Sequence, residues 1–180
     1  MSVKEQSIVG GLRGMRKDRQ SVTKDWEPLQ EMIDGVTVTQ MSTVFKDGGA
    51  LTEIYRGHWG TGEVRHVFQE ILSPNKLTAW HMHLDTTDRI FVATGVAKIV
   101  LYDAREHSKT RGLLNVFRFG SARPGLIVIP PSIWHGVMNI GSKDMVLLNL
   151  TDKPYEYESP DHWRLPHDTE EIPYSFFKNT

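Results

Sequence analysis

An all-β barrel or sandwich is the fold class this sequence predicts, on three observations. From Gly35 onward the chain breaks into short runs rich in β-branched and aromatic residues, at close and regular intervals. The breaks carry turn chemistry: Asp47-Gly48-Gly49, Ser73-Pro74-Asn75, Gly95, Pro124-Gly125, Pro130-Pro131-Ser132 and Gly141-Ser142. No long amphipathic helical pattern interrupts the runs. A chain of 180 residues fits one domain with a sizeable core.

The elements follow in order. Residues 1–34 read as an N-terminal arm. Lys4, Arg13, Arg16, Lys17, Arg19 and Lys24 make it basic, but it lacks interleaved aromatics and an apolar face, which argues against nucleic-acid or membrane binding. A short helix fits residues 26–33, with Gly35 at its C-cap. Residues 35–180 then form the barrel and a tail. Residues 36–45, V-T-V-T-Q-M-S-T-V-F, are the first strand. Further strands are expected at 51–56, 63–72, 77–83, 89–94, 96–102, 113–119, 125–129, 135–140 and 145–150. After Thr151 the chain turns Pro-, Tyr- and acid-rich, as an extended tail wrapping the barrel would.

Composition narrows the function. There are 21 basic and 22 acidic residues, so the net charge of −1 speaks against a basic nucleic-acid binder. No apolar run approaches the roughly 18–20 residues of a membrane span. The first twenty residues lack the apolar stretch of a secretory signal, and a cytoplasmic location is expected. The absence of Cys removes disulfides, thiolate ligands and cysteine nucleophiles together. No glycine-rich phosphate loop or nucleophile elbow is present.

Chemistry concentrates in the histidines. His81 and His83 are two apart, so on a strand their rings share a face. Leu77 and Ala79 have the same parity, which directs that face to the barrel interior. His135 lies on a later strand. Three neutral imidazoles with the carboxylate of Asp88 make an N/O donor set suited to Zn, Fe(II), Mn, Ni or Cu. Asp88, shorter than Glu, either ligates or orients an imidazole. The alternative is a group of hydrogen-bonded barrel histidines without metal. Arg89 either clamps an anionic substrate or forms a plain ion pair. Tyr155, Tyr157 and Tyr174 either supply an acid from the tail or pack on the barrel rim, Trp80 and Trp134 read as core or dimer-contact residues, and Asn139 as a turn cap. His162 and His167 show no ligand-like spacing.

The series His81-x-His83, then Asp88, then Gly95, followed by Pro130-x-Ser132-x-x-His135-x-x-x-Asn139, resembles the two motifs of the cupin superfamily. Asp88 stands where those motifs carry Glu, and Ser132 where they carry Gly. The resemblance implies a jelly-roll (double-stranded β-helix) barrel. Within the cupins, the chain is similar to the dTDP-4-dehydrorhamnose 3,5-epimerase family. Leu77-Thr78-Ala79-Trp80-His81 matches that family's L-R-G-L-H, and Ile129-Pro130-Pro131-Ser132-Ile133-Trp134-His135-Gly136-Val137 matches its I-P-x-G-F-A-H-G-F. The family removes a proton next to a 4-keto group with a His base and reprotonates with a Tyr, and only His81 carries over as that base. The family's tyrosine falls on Leu148, its diphosphate-holding Arg on Thr78, and its late Asp has no counterpart before Thr180. His83 replaces the family's glutamine and completes the metal motif.

The resulting expectation is an epimerase- or isomerase-like enzyme acting on a sugar nucleotide or related keto-sugar. His81 is its base, and a divalent metal on His81, His83, Asp88 and His135 assists. A metal-dependent oxygenase or other small-molecule cupin enzyme is the first alternative, and a non-enzymatic ligand-binding cupin the second. The resemblance further implies a homodimer through sheet edges, with the first strand and the arm as exchange elements.

Overall fold

The computed structural model describes residues 17–25 and 28–177. The chain divides into two units, Met1–Glu31 and Met32–Thr180. In the first, Val22 bridges Pro28, and the Leu29 N–H donates to the Ser21 carbonyl at 2.9 Å. Residues 28–33 are not helical, so the short helix expected at 26–33 is absent from its described part. A run of eight residues is too short to hold a helix by propensity alone. Trp26, Glu27 and the basic residues up to Arg16 lie outside the described residues.

Among the described residues the second unit holds twelve strands: β1 (Thr37–Gln40), β2 (Thr43–Lys46), β3 (Gly49–Thr52), β4 (His66–Leu72), β5 (Leu77–Met82), β6 (Asp88–Thr94), β7 (Val96–Tyr102), β8 (Leu114–Gly120), β9 (Gly125–Ile129), β10 (Trp134–Asn139), β11 (Met145–Thr151) and β12 (Trp163–Arg164). Two five-stranded antiparallel sheets, β1-β9-β6-β11-β4 and β12-β5-β10-β7-β8, form the expected jelly-roll, and β2-β3 is a separate hairpin. Among the described residues there is no helix, and so none that could cross a membrane. The expected first strand splits at Met41. Its N–H donates to the Pro124 carbonyl at 2.9 Å and its side chain is buried with Phe91, Leu126 and Leu150, so the chain turns there.

Alternation along the strands sorts side chains to the two faces of each sheet. Ile90, Val92, Ile99, Leu101, Ile127 and Leu147 meet between the sheets. On the outer face of the second sheet, Trp80, Val100 and Met138 pack under the returning tail residues Ile172 and Phe176. Tyr174 and Phe176 both stack against Trp80, and the buried Lys98 Nζ donates to the Phe176 carbonyl at 2.8 Å. The expected wrapping tail is therefore anchored by aromatic packing. Two glycines permit close approaches. At Gly95 (φ +79°) a Cβ would lie 2.8 Å from the Met145 Cα, and at Gly136 it would lie 2.5 Å from the Ala79 Cβ.

Asp103, fully buried after β7, is the main polar anchor of the fold. Arg105 donates to it through Nε and Nη2, Ser108 at 2.6 Å and Thr110 at 2.7 Å. Burial opposes its ionisation, but these hydrogen bonds outweigh burial and hold the carboxyl well below the usual carboxylate range. Its contribution is complete above an unfolded-state pKa of about 3.9 and is lost as pH falls through the folded value. Asp103→Ala should cost about 3–5 kcal/mol by leaving buried donors unpaired. Urea unfolding at pH 7 and at pH 3 checks this, and a loss under about 1 kcal/mol at pH 7 would refute it.

Candidate functional site

Between the sheets opens a cavity of about 880 Å³, within the usual size range of small-molecule sites. Alternate residues of four strands line it: Phe68 and Glu70 on β4, Asp88 and Ile90 on β6, His135 and Val137 on β10, Leu147 and Asn149 on β11. β5 contributes Thr78 and His81, which are three apart and cannot both face inward on a regular strand. A bulge resolves this: two steps along β10, His135 to Val137, match three along β5, His81 to Thr78. The parity reading that grouped Leu77 and Ala79 with His81 is corrected by this extra residue. Both pack in the outer cluster around Trp80, while His81 and His83 still turn inward.

His83, Asp88 and His135 converge. Their candidate donor atoms all lie within 4.8 Å of one another. The Asp88 Oδ2 is 3.5 Å from the Nε2 of each ring. The His83 Nδ1 donates to the Asp161 carbonyl, and the His135 Nδ1 to the Ile133 carbonyl at 3.1 Å. A carbonyl oxygen only accepts, so both Nδ1 atoms carry the hydrogen, and in the neutral ring Nε2 presents its lone pair to Asp88. Burial, ahead of every other influence, lowers the pKa of His135 despite the nearby Asp88. The other carboxylate oxygen, Asp88 Oδ1, accepts from Asn149 Nδ2 at 2.7 Å, which fixes its orientation. The Nε2 atoms of both rings thus face one carboxylate oxygen. At 3.5 Å they are spaced as neighbouring ligands around an ion at about 2.0–2.2 Å would be. The donor set fits a divalent metal.

His81 stands apart from that cluster. Its Nε2 is 2.8 Å from the Thr78 Oγ1 and 3.3 Å from the Arg164 Nη1, and it is not among the convergent donors. Among the described residues three of the expected four ligands, His83, Asp88 and His135, form one convergent group, and His81 lies outside it. Burial first, then the charges of His135, Arg164, His162 and His83, push the His81 pKa down to about 2. The ring is neutral, with its lone pair inside the cavity.

The second motif is tied to the first through Ser132. Its N–H donates to the His83 carbonyl at 2.6 Å, and its φ of +65° is the left-handed conformation that explains a glycine in the related motif. Asn139 caps the β10–β11 turn as expected, donating to the Leu72 and Lys143 carbonyls and accepting from the Gly141 N–H.

Arg89 does not face the cavity. It follows Asp88 on a strand and so lies on the opposite face, buried, with its guanidinium on the Thr61 and Thr87 carbonyls. The substrate-clamp reading of Arg89 is corrected accordingly. Leu148 likewise alternates out of the cavity and packs near Phe91 and Leu126, so a tyrosine there would not reach the site. Tyr174 belongs to the outer face with Trp80, whereas Tyr155 and Tyr157 line the cavity mouth.

Sequence reasoning missed three tail residues. Asp161 accepts from the Leu84, Asp85 and Thr86 N–H groups at 2.7, 2.8 and 3.1 Å, and from the Thr86 hydroxyl at 3.1 Å, clamping the loop between the first two ligands. The His162 ring lies 5.0 Å from those of His81 and of His83, and Arg164 pairs in register with His81. Their signal in the sequence was the run D-H-W-R-L-P at 161–166, which resembles the epimerase family's closing W-x-D-P element but gives no spacing to a partner.

Comparison with known proteins agrees with this architecture. The chain is 32% identical over 151 residues to the spore coat polysaccharide biosynthesis protein SpsL of Bacillus subtilis (strain 168), covering 81% of this chain and 97% of that protein. It is 33% identical over 139 residues to a probable low-salt glycan biosynthesis epimerase of Haloferax volcanii, covering 76% and 89%. A dTDP sugar isomerase of Desulfovibrio desulfuricans superimposes with a TM-score of 0.76 at 27% identity, over 79% of this chain and 91% of that one. The dTDP-4-dehydrorhamnose 3,5-epimerase of Elizabethkingia anophelis shares the fold, with a TM-score of 0.71 at 14% identity over 83% and 85%. Residues 45–163 match the polysaccharide biosynthesis C-terminal domain, and the chain belongs to that family, on a cupin jelly-roll.

Proposed function

We propose that the protein is a sugar-nucleotide epimerase or isomerase-like enzyme acting on a keto-sugar, with His81 as the base and a divalent metal held by His83, Asp88 and His135. The observation that carries this reading is the separation of the histidines into two groups within one cavity. One imidazole lies outside the donor cluster with its Nε2 on Thr78 and Arg164, and two others face a carboxylate. A divalent ion on those three residues would supply Lewis-acid polarisation of a substrate oxygen. The relatives' names, an epimerase and a dTDP sugar isomerase, support the same class. His81 takes the proton from the carbon next to the carbonyl. Its conjugate acid is opposed by burial and by Arg164, so its basicity depends on negative charge arriving with the substrate. Tyr155 and Tyr157, which line the same cavity, are this reading's candidates for the phenol that returns a proton.

Incubation with dTDP-4-keto-6-deoxyglucose in D₂O, read by mass spectrometry, tests this reading. Deuterium should enter next to the carbonyl. No incorporation, with metal tightly bound, would favour an oxygenase-like cupin instead.

The proposal extends to a homodimer. Val44, Phe45 and Leu51 of the β2–β3 hairpin and Val67 and Ile71 of β4 expose apolar surface, Phe45 to 83%. Light scattering at micromolar concentration should give twice the 20.6 kDa chain mass, and a monomer would refute this part.

A further inference from the structure

β5 ends at Met82 and β6 begins at Asp88, so His83 and the four residues after it lie between strands. Two of the three candidate ligands, His83 and Asp88, stand at the ends of that connection. Connections are more mobile than the strands they join, so the spacing of these two ligands depends on what holds the backbone between them. Each N–H from residue 84 to residue 87 meets a carboxylate. Leu84, Asp85 and Thr86 donate to Asp161 at 2.7, 2.8 and 3.1 Å, and Thr87 donates to Asp152 at 2.9 Å. The Thr86 hydroxyl adds a further bond to Asp161. Asp152 directly follows β11, whereas Asp161 belongs to the tail.

Asp161 also reaches a ligand through its backbone. Its carbonyl accepts from the His83 Nδ1, which keeps the hydrogen on that nitrogen and turns Nε2 to Asp88. The carboxylate and the carbonyl of one residue thus act on one stretch, His83 to Thr86. The tail's hold on the barrel lies elsewhere, on the outer face. There Ile172 and Phe176 pack with Trp80, and the Lys98 Nζ donates to the Phe176 carbonyl. That anchor is independent of the Asp161 side chain.

We propose that Asp161 is a positioning residue of the metal site, through which docking of the tail and binding of the ion reinforce each other. The inference rests on the metal reading of His83, Asp88 and His135, and adds a dependence on the tail that the donor set alone does not contain. With Asp161 in place, the His83 ring has one tautomer and one orientation, and the 84–86 backbone has one conformation. Without its carboxylate, the same donors must be ordered as the ion binds, and affinity falls. Coupling of this kind is reciprocal: the factor that docked Asp161 adds to the ion's affinity, the ion adds to docking.

Titration of the metal-stripped full chain against a competing chelator, with zinc or with Mn(II) as the only ion, tests the affinity. Asp161→Ala should bind the ion about 10–100-fold more weakly than the wild type, the usual effect of losing a group that orients a ligand. Asp161→Asn, which keeps one acceptor oxygen, should fall between the two. Hydrogen exchange followed by mass spectrometry supplies a readout that a merely structural residue would not move. In the wild type, saturating ion should slow exchange of residues 84–86 and of the tail at 161–166 by about the factor lost in Asp161→Ala. In Asp161→Ala the ion should slow exchange of the tail less than in the wild type. Affinity in Asp161→Ala within about 2-fold of the wild type would overturn the coupling and leave the metal site standing. Wild-type tail exchange that ignores a bound ion would do the same, and needs no variant to fold. A wild type that takes up neither ion would overturn the coupling together with the metal reading.

Discussion

Replacing His81 by alanine should reduce proton exchange next to the substrate carbonyl by about 10²–10⁴-fold, the usual contribution of a positioned general base. The ring projects into the cavity, its Nε2 is oriented by the Thr78 hydroxyl at 2.8 Å, and it lies outside the donor cluster of His83, Asp88 and His135. Its removal should therefore lower kcat while leaving binding of thymidine diphosphate within about 2-fold, because an interaction made only in the transition state is lost. The pH profile carries a second signature. With its pKa pushed down to about 2 in the free protein, His81 stays neutral across ordinary conditions, so kcat/KM should show no acid limb from this group between about pH 5 and 8. Exchange at wild-type speed in His81→Ala would assign the base elsewhere, and His162, 5.0 Å away ring to ring, would be the first residue to test.

Metal removal has the other large expected effect. Protein purified without an affinity-metal step should hold about one divalent ion per chain. His83→Ala, Asp88→Ala and His135→Ala should each lose it. His81→Ala should keep it, which separates the observed donor set from the four-residue set that the motif spacing implies. An ion that binds only the native state, at 100 times its Kd, stabilises by about 2.7 kcal/mol, or roughly 5–10 °C for a chain of this size. Chelation should lower Tm by that amount, and Zn, Mn or Fe(II) should restore it. A wild type whose Tm ignores both treatments, and whose elemental analysis shows no metal, would refute the site.

The strands could be read from the sequence wherever local signals agreed. Between Gly95 and Thr151 the expected and observed strands differ by a residue at most, because β-branched runs alternate between turn residues there and nothing distant competes. Two motif spacings brought His83, Asp88 and His135 to one place, since each spacing is a count along paired strands. The position of His81 outside the donor cluster was not readable. A bulge in β5 adds one residue, and no single-residue preference announces an insertion that depends on the partner strand. Arg89 was assigned by adjacency to Asp88, and adjacency on a strand means opposite faces. Asp161, His162 and Arg164 carried a resemblance to the family's closing element but no readable place in the site, because they act about 80 positions away in the chain. Only tertiary packing, through Ile172 and Phe176 on Trp80, brings them back.

That return of the tail separates two events in the life of the molecule. All strands of both sheets except the two-residue β12 are complete once residue 151 has been made. Synthesis runs from the N-terminus, so the barrel strands leave the ribosome before the tail residues that finish the site. The carbonyl that sets the hydrogen of His83, the clamp on the 84–86 loop and the side chains of His162 and Arg164 all arrive afterwards. A chain lacking residues from 161 onward would keep eleven of the twelve described strands and lose the carbonyl, the clamp and the two side chains that complete the pocket.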